Sequence, residues 1–275
     1  MHVHSTYSDG TYTPAELIGA AARAGLSAIA LCDHNTVDGV PELLRAAEGS
    51  GVEAIAGAEF SVEYEGGELH LLGLFIPERF FAQIRARMEE ADRRKEESNL
   101  ALIESLCRAG FPLDYGEIKR KTSKGRVNRM NIARAMKEHG YVASTEEAFA
   151  RYLSPNGAHY VPPARIGFWE MLEYLHEIGA APVLAHPFLS LSRERLALLL
   201  PEAKQRGLCG MECFYSTFSK EETACALELA SAFGLLASGG SDFHGENKPE
   251  IRLGVGCGDL SVPYECAEAL RKSVF

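Results

Sequence analysis

Apolar and polar residues along the chain form two kinds of segment, which predict helices and buried strands in alternation. Thr13-Pro14-Ala15-Glu16 is a helix start with Thr13 as the N-cap, and it predicts a helix over 15–24. An apolar run over 26–31 then predicts a buried strand, followed by a helix over 40–48 and strands over 52–56 and 69–75. This alternation is typical of βα units and predicts a largely parallel sheet.

The pattern changes between about residues 77 and 154, where the sequence predicts helices and no strand. These helices cover 84–108, 129–139 and 145–152, and the first of them is heavily charged. Alternation resumes near residue 167, with helices over 168–178, 193–206 and 220–233 and strands over 181–185, 208–214 and 235–238. We therefore predict one α/β domain formed by residues 1–77 and 159–275, interrupted by a helical insertion over 78–158.

Composition limits the compartment and the partners of the chain. Hydrophobic residues make up 46% and charged residues 24% of the 275 residues, as in ordinary water-soluble domains. No apolar run approaches the roughly 18 residues of a membrane span, and the N-terminus lacks the features of a signal peptide. The seven cysteines are scattered, which favours free thiols in a reducing compartment. We therefore predict a cytoplasmic protein without a membrane partner.

Charge is unevenly distributed along the chain. The formal net charge of −10 argues against stable binding of duplex nucleic acid. Residues 79–137, however, hold 15 Lys and Arg against 8 Asp and Glu, a local surplus of 7. A modest basic segment on an acidic chain favours a small phosphorylated substrate or a short single strand as the partner.

Histidines and carboxylates stand at nearly every predicted strand end, which is where a parallel barrel collects its active residues. His2 and His4 are two residues apart, so on a strand both side chains point to one face. Asp242 and His244, after the last predicted strand, are also two residues apart. In chain order the candidate metal ligands are His2, His4, Asp9, His34, Glu59, His70, His186, Asp242 and His244.

A single histidine at a strand end is more often a hydrogen-bonded polar residue than a ligand, so the joint pattern carries the prediction. Six of the nine histidines fall at or within strands predicted without reference to them, whereas His139, His159 and His176 lie elsewhere and are predicted to be surface residues. Imidazole and carboxylate together suit Zn, Mn or Fe. Nine ligands are too many for one ion and suit two or three, an arrangement common in phosphoryl transfer.

The candidate ligands lie in six segments that resemble, in order, the motifs of the PHP (polymerase and histidinol phosphatase) superfamily. The segments are His2-Val3-His4-Ser5-Thr6-Tyr7-Ser8-Asp9-Gly10, Cys32-Asp33-His34, Gly57-Ala58-Glu59, Leu69-His70-Leu71-Leu72-Gly73, Ala185-His186-Pro187 and Ser241-Asp242-Phe243-His244. The resemblance covers almost the whole chain. It implies a distorted seven-stranded (β/α) barrel, in two parts over 1–77 and 159–275, with a trinuclear metal centre.

The resemblance also implies how the ligands are shared among the ions. His2, His4, Glu59 and Asp242 would hold one ion. Glu59 would bridge to a second ion, held with His70 and His186, while Asp9, His34 and His244 would hold a third. Asp33 would orient a ligand without binding metal itself.

Within the superfamily, the layout is most similar to nucleoside 3′,5′-bisphosphate phosphatases and their 5′→3′ exoribonuclease relatives. Arg129-Met130-Asn131-Ile132-Ala133-Arg134-Ala135-Met136 resembles their Arg-x-His-Phe-Ala-Arg-x-Leu segment, with Asn131 in place of the usual His. Basic residues of the insertion bind the substrate phosphates in those relatives. The resemblance therefore implies substrate binding by Arg129, Lys95, Arg126 and Asn99, although Lys95 and Ser98 stand where two arginines are usual.

The resulting hypothesis is hydrolysis of a nucleotide phosphate monoester, either a 3′,5′-bisphosphonucleoside or a 5′-phosphorylated short oligonucleotide. A metal-bridging hydroxide would attack phosphorus in line, held by Glu59, His70, His186, His2, His4 and Asp242. One alternative is a phosphatase for a small non-nucleotide monoester such as histidinol phosphate, which the basic insertion argues against. Another is a non-catalytic metal-binding module, which the presence of all nine ligands argues against.

Overall fold

Seven strands form one sheet, in the same order in space as along the chain. A computed structural model describes residues 1–122, 127–154, 159 and 165–274. The strands are β1 (His2–Val3), β2 (Ala28–Leu31), β3 (Glu53–Tyr64), β4 (Gly67–Leu74), β5 (Ala181–Leu184), β6 (Gly210–Tyr215) and β7 (Leu236–Gly240). A parallel bridge between Val3 and Phe243 joins the first strand to the segment after the last. The sheet is thus a nearly closed barrel, which confirms the predicted α/β barrel fold.

The sheet is parallel except around β4, which runs antiparallel to both of its neighbours. The sequence pattern predicted a short strand over 52–56, and this was wrong because β3 continues to Tyr64. Glu65 and Gly66 then turn the chain with φ angles of 49° and 80°. Two successive residues with positive φ are typical of a type I′ hairpin turn, which forces antiparallel pairing of the strands it joins.

Helices follow the strands in most of the barrel. They are α1 (Pro14–Arg23), α2 (Val40–Ala47), α3 (Phe81–Arg108), α7 (Phe168–Glu177), α8 (Arg193–Gln205), α9 (Lys220–Ala232) and α10 (Tyr264–Lys272). Helix α10 was not predicted; its buried side chains are Cys266, Ala267 and Leu270, of which only Leu270 is a large apolar residue. In the described parts of the chain, no helix is long and apolar enough to cross a membrane.

The chain divides into two compact units, one of Met1–Met88 with Ile166–Phe275 and the other of Glu89–Arg165. The second unit contains the rest of α3, then α4 (Tyr115–Arg120), α5 (Arg129–Glu138), α6 (Thr145–Ala148) and a π-helical turn (Phe149–Leu153). It has its own apolar core, in which Leu102, Leu106, Ile132 and Met136 are almost fully buried. Helix α4 was not predicted, since its six residues are too few to show a helical period.

Candidate metal centre

All nine predicted ligands lie in one cluster at the open end of the barrel. His2 is in β1 and His4 follows it, His34 follows β2, His70 is in β4 and His186 follows β5. Glu59 was predicted at the end of a strand, but it lies in the middle of β3. Glu59 still reaches the cluster because β3 extends beyond the end of β2. The Asp33 carbonyl accepts a hydrogen bond from the Glu59 N–H at 3.2 Å, just beyond the last residue of β2.

One set of four buried donors consists of His2, His4, Glu59 and Asp242, whose ligand atoms all lie within 4.8 Å of one another. The Nε2 atoms of His2 and His4 are 3.0 Å apart, and Glu59 Oε2 is 3.3 Å from each of them. Asp242 Oδ1 is 3.0 Å from His4 Nε2. Two imidazole nitrogens and two carboxylate oxygens therefore point into one small space, as the ligands of a metal ion do.

Glu59 belongs to a second set of donors as well. Its Oε1 atom is 2.8 Å from His70 Nδ1 and 2.9 Å from His186 Nε2. Its Oε2 atom is 3.1 Å from His34 Nδ1. One buried carboxylate thus meets histidines from β4, from the end of β5 and from the end of β2.

A third set lies toward solvent and contains His4, Asp9, His34 and His244. Asp9 Oδ2 is 3.3 Å from His244 Nε2 and 3.7 Å from His34 Nε2. The Asp9 side chain is 53% exposed, whereas His4 is fully buried. The cluster therefore has a closed side at His2 and His4 and an accessible side at Asp9 and His34.

Hydrogen bonding within the protein leaves part of this cluster unsatisfied. Among the described residues, four buried side-chain nitrogen or oxygen atoms lack a hydrogen-bond partner: His34 Nδ1, Glu59 Oε2, His70 Nδ1 and Ser238 Oγ. Three of the four belong to the cluster. His34 Nδ1 lies 3.1 Å from Glu59 Oε2 and His70 Nδ1 lies 2.8 Å from Glu59 Oε1, but neither pair has the alignment of a hydrogen bond. Lone pairs that converge without hydrogen bonds fit divalent metal ions, and the imidazole and carboxylate donors suit them chemically.

Electrostatics keep the carboxylates of the cluster ionised. Burial would raise the pKa of Glu59, but His2, His186 and His4 outweigh it and hold the pKa well below its usual range. The pKa of Asp242 is lowered in the same way, because His4 and His2 outweigh its burial. Both groups therefore offer anionic oxygens at neutral pH, as metal binding requires.

Two of the predicted ligands have backbone conformations that are costly for residues other than glycine. His186 has a φ of 25° and Asp242 a φ of 53°. Such conformations cost about 1–3 kcal/mol each and persist only where the surrounding structure holds them, typically at functional sites. Here they turn the chain sharply after β5 and β7 and direct both side chains into the cluster.

Three residues beside the ligands were missed by the sequence analysis. Glu212 Oε1 is 3.2 Å from His2 Nδ1, and its Oε2 accepts a hydrogen bond from the His186 N–H at 2.8 Å. The Tyr215 hydroxyl and the Lys248 ammonium each donate to Asp242 Oδ2 at 2.8 Å. A lone carboxylate inside the apolar strand predicted over 208–214 was a signal for Glu212. Tyr215 and Lys248 gave no comparable signal.

Asp33 lies below the cluster and its side chain contacts serines. Its carboxylate accepts hydrogen bonds from the Ser5 N–H at 2.7 Å, from Ser5 Oγ at 2.6 Å and from Ser8 Oγ at 2.6 Å. Ser8 Oγ in turn lies 3.5 Å from His4 Nδ1. Asp33 thus fixes the loop between His4 and Asp9.

The predicted substrate-binding residues of the insertion have varied surroundings. Arg129 donates to the Leu153 carbonyl at 2.9 Å. Asn99 is buried and donates to the Val127 carbonyl at 2.9 Å, while Lys95 is exposed. Arg126 lies outside the described residues.

The barrel and its cluster of donors define a class of protein, and the comparison with known families agrees. Residues 1–175 match the PHP domain. The chain belongs to this family and is a metal-dependent phosphoesterase, which confirms the resemblance seen in the sequence motifs.

Relatives of known activity match this chain over most of its length. It is 31% identical over 245 residues to a 5′-3′ exoribonuclease of Haemophilus influenzae, covering 89% of each chain. It is 30% identical over 258 residues to a phosphoribosyl 1,2-cyclic phosphate 1,2-diphosphodiesterase of Eggerthella lenta, covering 90% of this chain and 94% of that one. It is 28% identical over 246 residues to a 3′,5′-nucleoside bisphosphate phosphatase of Chromobacterium violaceum, covering 89% and 86%.

Solved structures are similar over the whole chain. An amidohydrolase from Chromobacterium violaceum, with bound sulfate and no metal, has a TM-score of 0.74 and 26% identity, covering 100% of this chain and 96% of that one. A protein from Bifidobacterium adolescentis, provisionally classed as a metal-dependent phosphoesterase, has a TM-score of 0.72 and 25% identity, covering 100% and 95%.

Proposed function

We propose that this chain hydrolyses a phosphate monoester of a nucleotide, either a 3′,5′-bisphosphonucleoside or the 5′-phosphorylated end of a short oligonucleotide. The observation that carries the proposal is the meeting of three overlapping sets of metal donors at and beside Glu59. Two similar proteins, the exoribonuclease and the bisphosphate phosphatase, are named for substrates of these kinds. Both are similar to this chain over almost nine tenths of its length.

The ligand sets support two or three divalent ions, and Mn, Fe and Zn all suit these donors. When bound, such ions would polarise a phosphoryl oxygen and lower the pKa of a coordinated water toward neutrality. The protein contributes ionised carboxylates at Glu59, within β3, and at Asp242, directly after β7. Because Asp9 and His34 form the accessible side of the cluster, we place the phosphate of the substrate there.

Substrate binding by the insertion, residues 78–158, is part of the same proposal. Arg129 and Lys95 are cations that would pair with a phosphate dianion, the arginine in bidentate fashion. Asn99 and Arg126 complete the proposed set. The hydrogen bond from Arg129 to the Leu153 carbonyl would fix the direction of the guanidinium and reduce the entropy lost when it binds.

Phosphate release from a panel of esters tests the proposed substrate. We expect turnover of adenosine 3′,5′-bisphosphate or a 5′-phosphorylated dinucleotide with Mn²⁺ present, and none after chelation. AMP, histidinol phosphate and phosphoribosyl 1,2-cyclic phosphate should be poorer substrates. If only histidinol phosphate or only phosphoribosyl 1,2-cyclic phosphate is hydrolysed, the proposed metal centre stands but the proposed nucleotide substrate is wrong. No turnover of any ester by metal-loaded protein would favour the non-catalytic module.

Glu59→Gln tests the metal centre itself. The amide keeps the size of the side chain but removes the anionic oxygens that two sets of donors share, so bound metal and turnover should both fall, turnover by at least about 100-fold. Glu177→Gln makes the same chemical change at an exposed position of α7 and should leave both unchanged. A Glu59→Gln protein with full metal content and full turnover would overturn the ligand assignment.

Arg129→Gln tests the role of the insertion separately. KM for the bisphosphate should rise, by about tenfold or more for a lost charged contact, while metal content stays the same. Arg151→Gln is the matched control, because Arg151 is an arginine of the same compact unit, lies in the π-helical turn that Arg129 contacts, and pairs with Glu147. Equal effects of the two changes on KM would argue against a substrate contact by Arg129.

A further inference from the structure

Glu212 is not one of the nine predicted ligands, but its carboxylate contacts two of them, His2 and His186. No other carboxylate outside the nine does so among the described residues. Glu212 lies in β6, its side chain is fully buried, and β6 sits between β5 and β7 in the sheet. The register between β6 and β7 shifts between Glu212 and Phe214. The Glu212 side chain lies between His186, which follows β5, and His2, which is in β1.

We infer that Glu212 is a positioning residue that sets the tautomer of His2 and the backbone of His186, and so couples two metal positions. This inference rests on the proposed metal centre. An ionised carboxylate can only accept hydrogen bonds. Its contact with His2 Nδ1 at 3.2 Å therefore places a proton on Nδ1, so Nε2, which faces His4, Glu59 and Asp242, is the nitrogen left to bind a metal ion.

The second oxygen of Glu212 acts on the backbone. It accepts the His186 N–H at 2.8 Å, at the residue whose φ of 25° is unfavourable. This bond holds the sharp turn after β5, and the turn directs His186 Nε2 to Glu59 Oε1 at 2.9 Å. His2 and His186 belong to different proposed metal positions, and their rings are stacked 5.9 Å apart. One carboxylate therefore controls a ligand of each position.

Glutamine cannot replace Glu212 in this role, although it has nearly the same shape. Its amide has one acceptor oxygen and one donor NH₂. If the oxygen accepts the His186 N–H, the NH₂ faces His2 Nδ1 and moves the imidazole proton to Nε2, where it blocks metal binding. If the oxygen faces His2, two donors oppose each other at His186. Either orientation damages one of the two metal positions.

Metal titration and imidazole NMR test this inference on the full chain. In Zn²⁺-loaded protein labelled at its histidines, we expect a His2 Nδ1–H signal, assigned by its absence in His2→Asn. Glu212→Gln should lose or strongly shift that signal and bind metal about 10–100-fold more weakly, as is typical when a residue that orients a ligand is changed. Met211→Leu, a buried change of similar volume in the same strand, should do neither.

The outcomes separate this inference from the proposed function. If the unaltered chain binds no metal, the proposed centre fails. If it binds metal and Glu212→Gln matches it in affinity and in the His2 signal, only the role of Glu212 fails. Should the glutamine variant not fold, a proton on Nε2 in the unaltered chain would still refute the inference.

Discussion

At the scale of single residues, the cluster contains histidines with opposite tendencies to take up a proton. Burial lowers the pKa of His34 to about 4, so its ring is neutral near pH 7. Burial also lowers the pKa of His70, but the neighbouring Glu59 and Glu68 outweigh it and raise the pKa to about 9. In the metal-free chain His70 is therefore protonated at neutral pH and must lose its proton before it can bind an ion.

The pKa of His70 predicts how metal uptake depends on pH. It lies above its unfolded value, so the contacts with Glu59 and Glu68 stabilise the metal-free chain at neutral pH and are lost as pH rises through about 9. On metal uptake His70 should release about one proton at pH 7 and none at pH 10. Any protons from His2 and His4 add to this, because the neighbouring carboxylates outweigh burial and raise their pKa values above the usual range. Metal affinity should rise over that range of pH. Calorimetry in buffers of different ionisation enthalpy measures the release. His70→Asn should reduce the difference in proton release by about one proton, and an unaltered difference would contradict the prediction.

Tyr215 predicts a second effect on the metal centre. Burial and the neighbouring Asp242 raise the pKa of Tyr215 far above its usual range, so the hydroxyl keeps its proton and donates to Asp242. Tyr215→Phe removes that bond and leaves Lys248 as the remaining partner of Asp242 Oδ2. Metal affinity should fall by about tenfold, as measured by titration. Tyr264→Phe is the control, since Tyr264 lies in α10 and its hydroxyl donates to Glu53 at the start of β3. Equal metal affinities in both variants would refute this prediction.

The side chains that meet in the cluster could be predicted from the sequence, as could Asp33, whereas Tyr215 and Lys248 could not. His2 and His4 share a face because they are two apart in a strand, and Asp242 and His244 repeat that spacing at the end of β7. Lys248, by contrast, has no period or motif. Its contact with Asp242 depends on the φ of 53° at Asp242, and only the folded backbone reveals that angle.

At the scale of elements, β1 is short and depends on its neighbours. It contains only His2 and Val3, yet it must hold two of the most buried donors in place. The His2 carbonyl accepts the Asp242 N–H at 2.9 Å, and the Phe243 carbonyl accepts the His4 N–H at 2.9 Å. The segment that follows β7 therefore holds β1, and with it His2 and His4, in the cluster.

Gly240 in β7 gives a prediction for the packing of β7 against β1. A Cβ atom there would overlap the backbone nitrogen and the Cβ of His2. Gly240→Ala should displace β1, destabilise the barrel by about 1–3 kcal/mol and weaken metal binding, as seen in thermal melts and metal titration. Gly67→Ala is the matched strand control, because its Cβ would meet the Tyr64 carbonyl at an ordinary 3.5 Å. An unchanged metal affinity in Gly240→Ala would show that β1 can move without cost to the site.

Alternation of helices and strands was predicted well where each strand is followed by a helix. The predicted strand over 69–75 corresponds to β4, but the predicted strand over 52–56 was too short, because the length of β3 is set by its pairing with β4 and not by its own apolar pattern. The turn at Glu65 and Gly66 was the local sign of a hairpin. Its first residue is a glutamate with positive φ, an uncommon choice for such a turn.

At the scale of the whole molecule, the predicted class of protein is confirmed by the PHP domain match and by the nearly closed seven-stranded barrel. The number of strands came from the resemblance to the family and not from the apolar pattern, which showed fewer. The two compact units are each stabilised by an apolar core of their own. Metal removal should therefore act on the barrel unit, which contains all nine predicted ligands.

Chelation predicts a loss of stability that is confined to the barrel. An ion at 100 times its Kd stabilises the folded state that binds it by about 2.7 kcal/mol, which corresponds to roughly 5–10 °C in Tm for a domain of this size. Trp169 is the only tryptophan and lies in α7, so its fluorescence reports on the barrel. EDTA should lower that transition and excess Mn²⁺ restore it. Glu59→Gln should respond to neither, and a transition that EDTA leaves unmoved in the metal-loaded chain would show that metal contributes nothing to the fold.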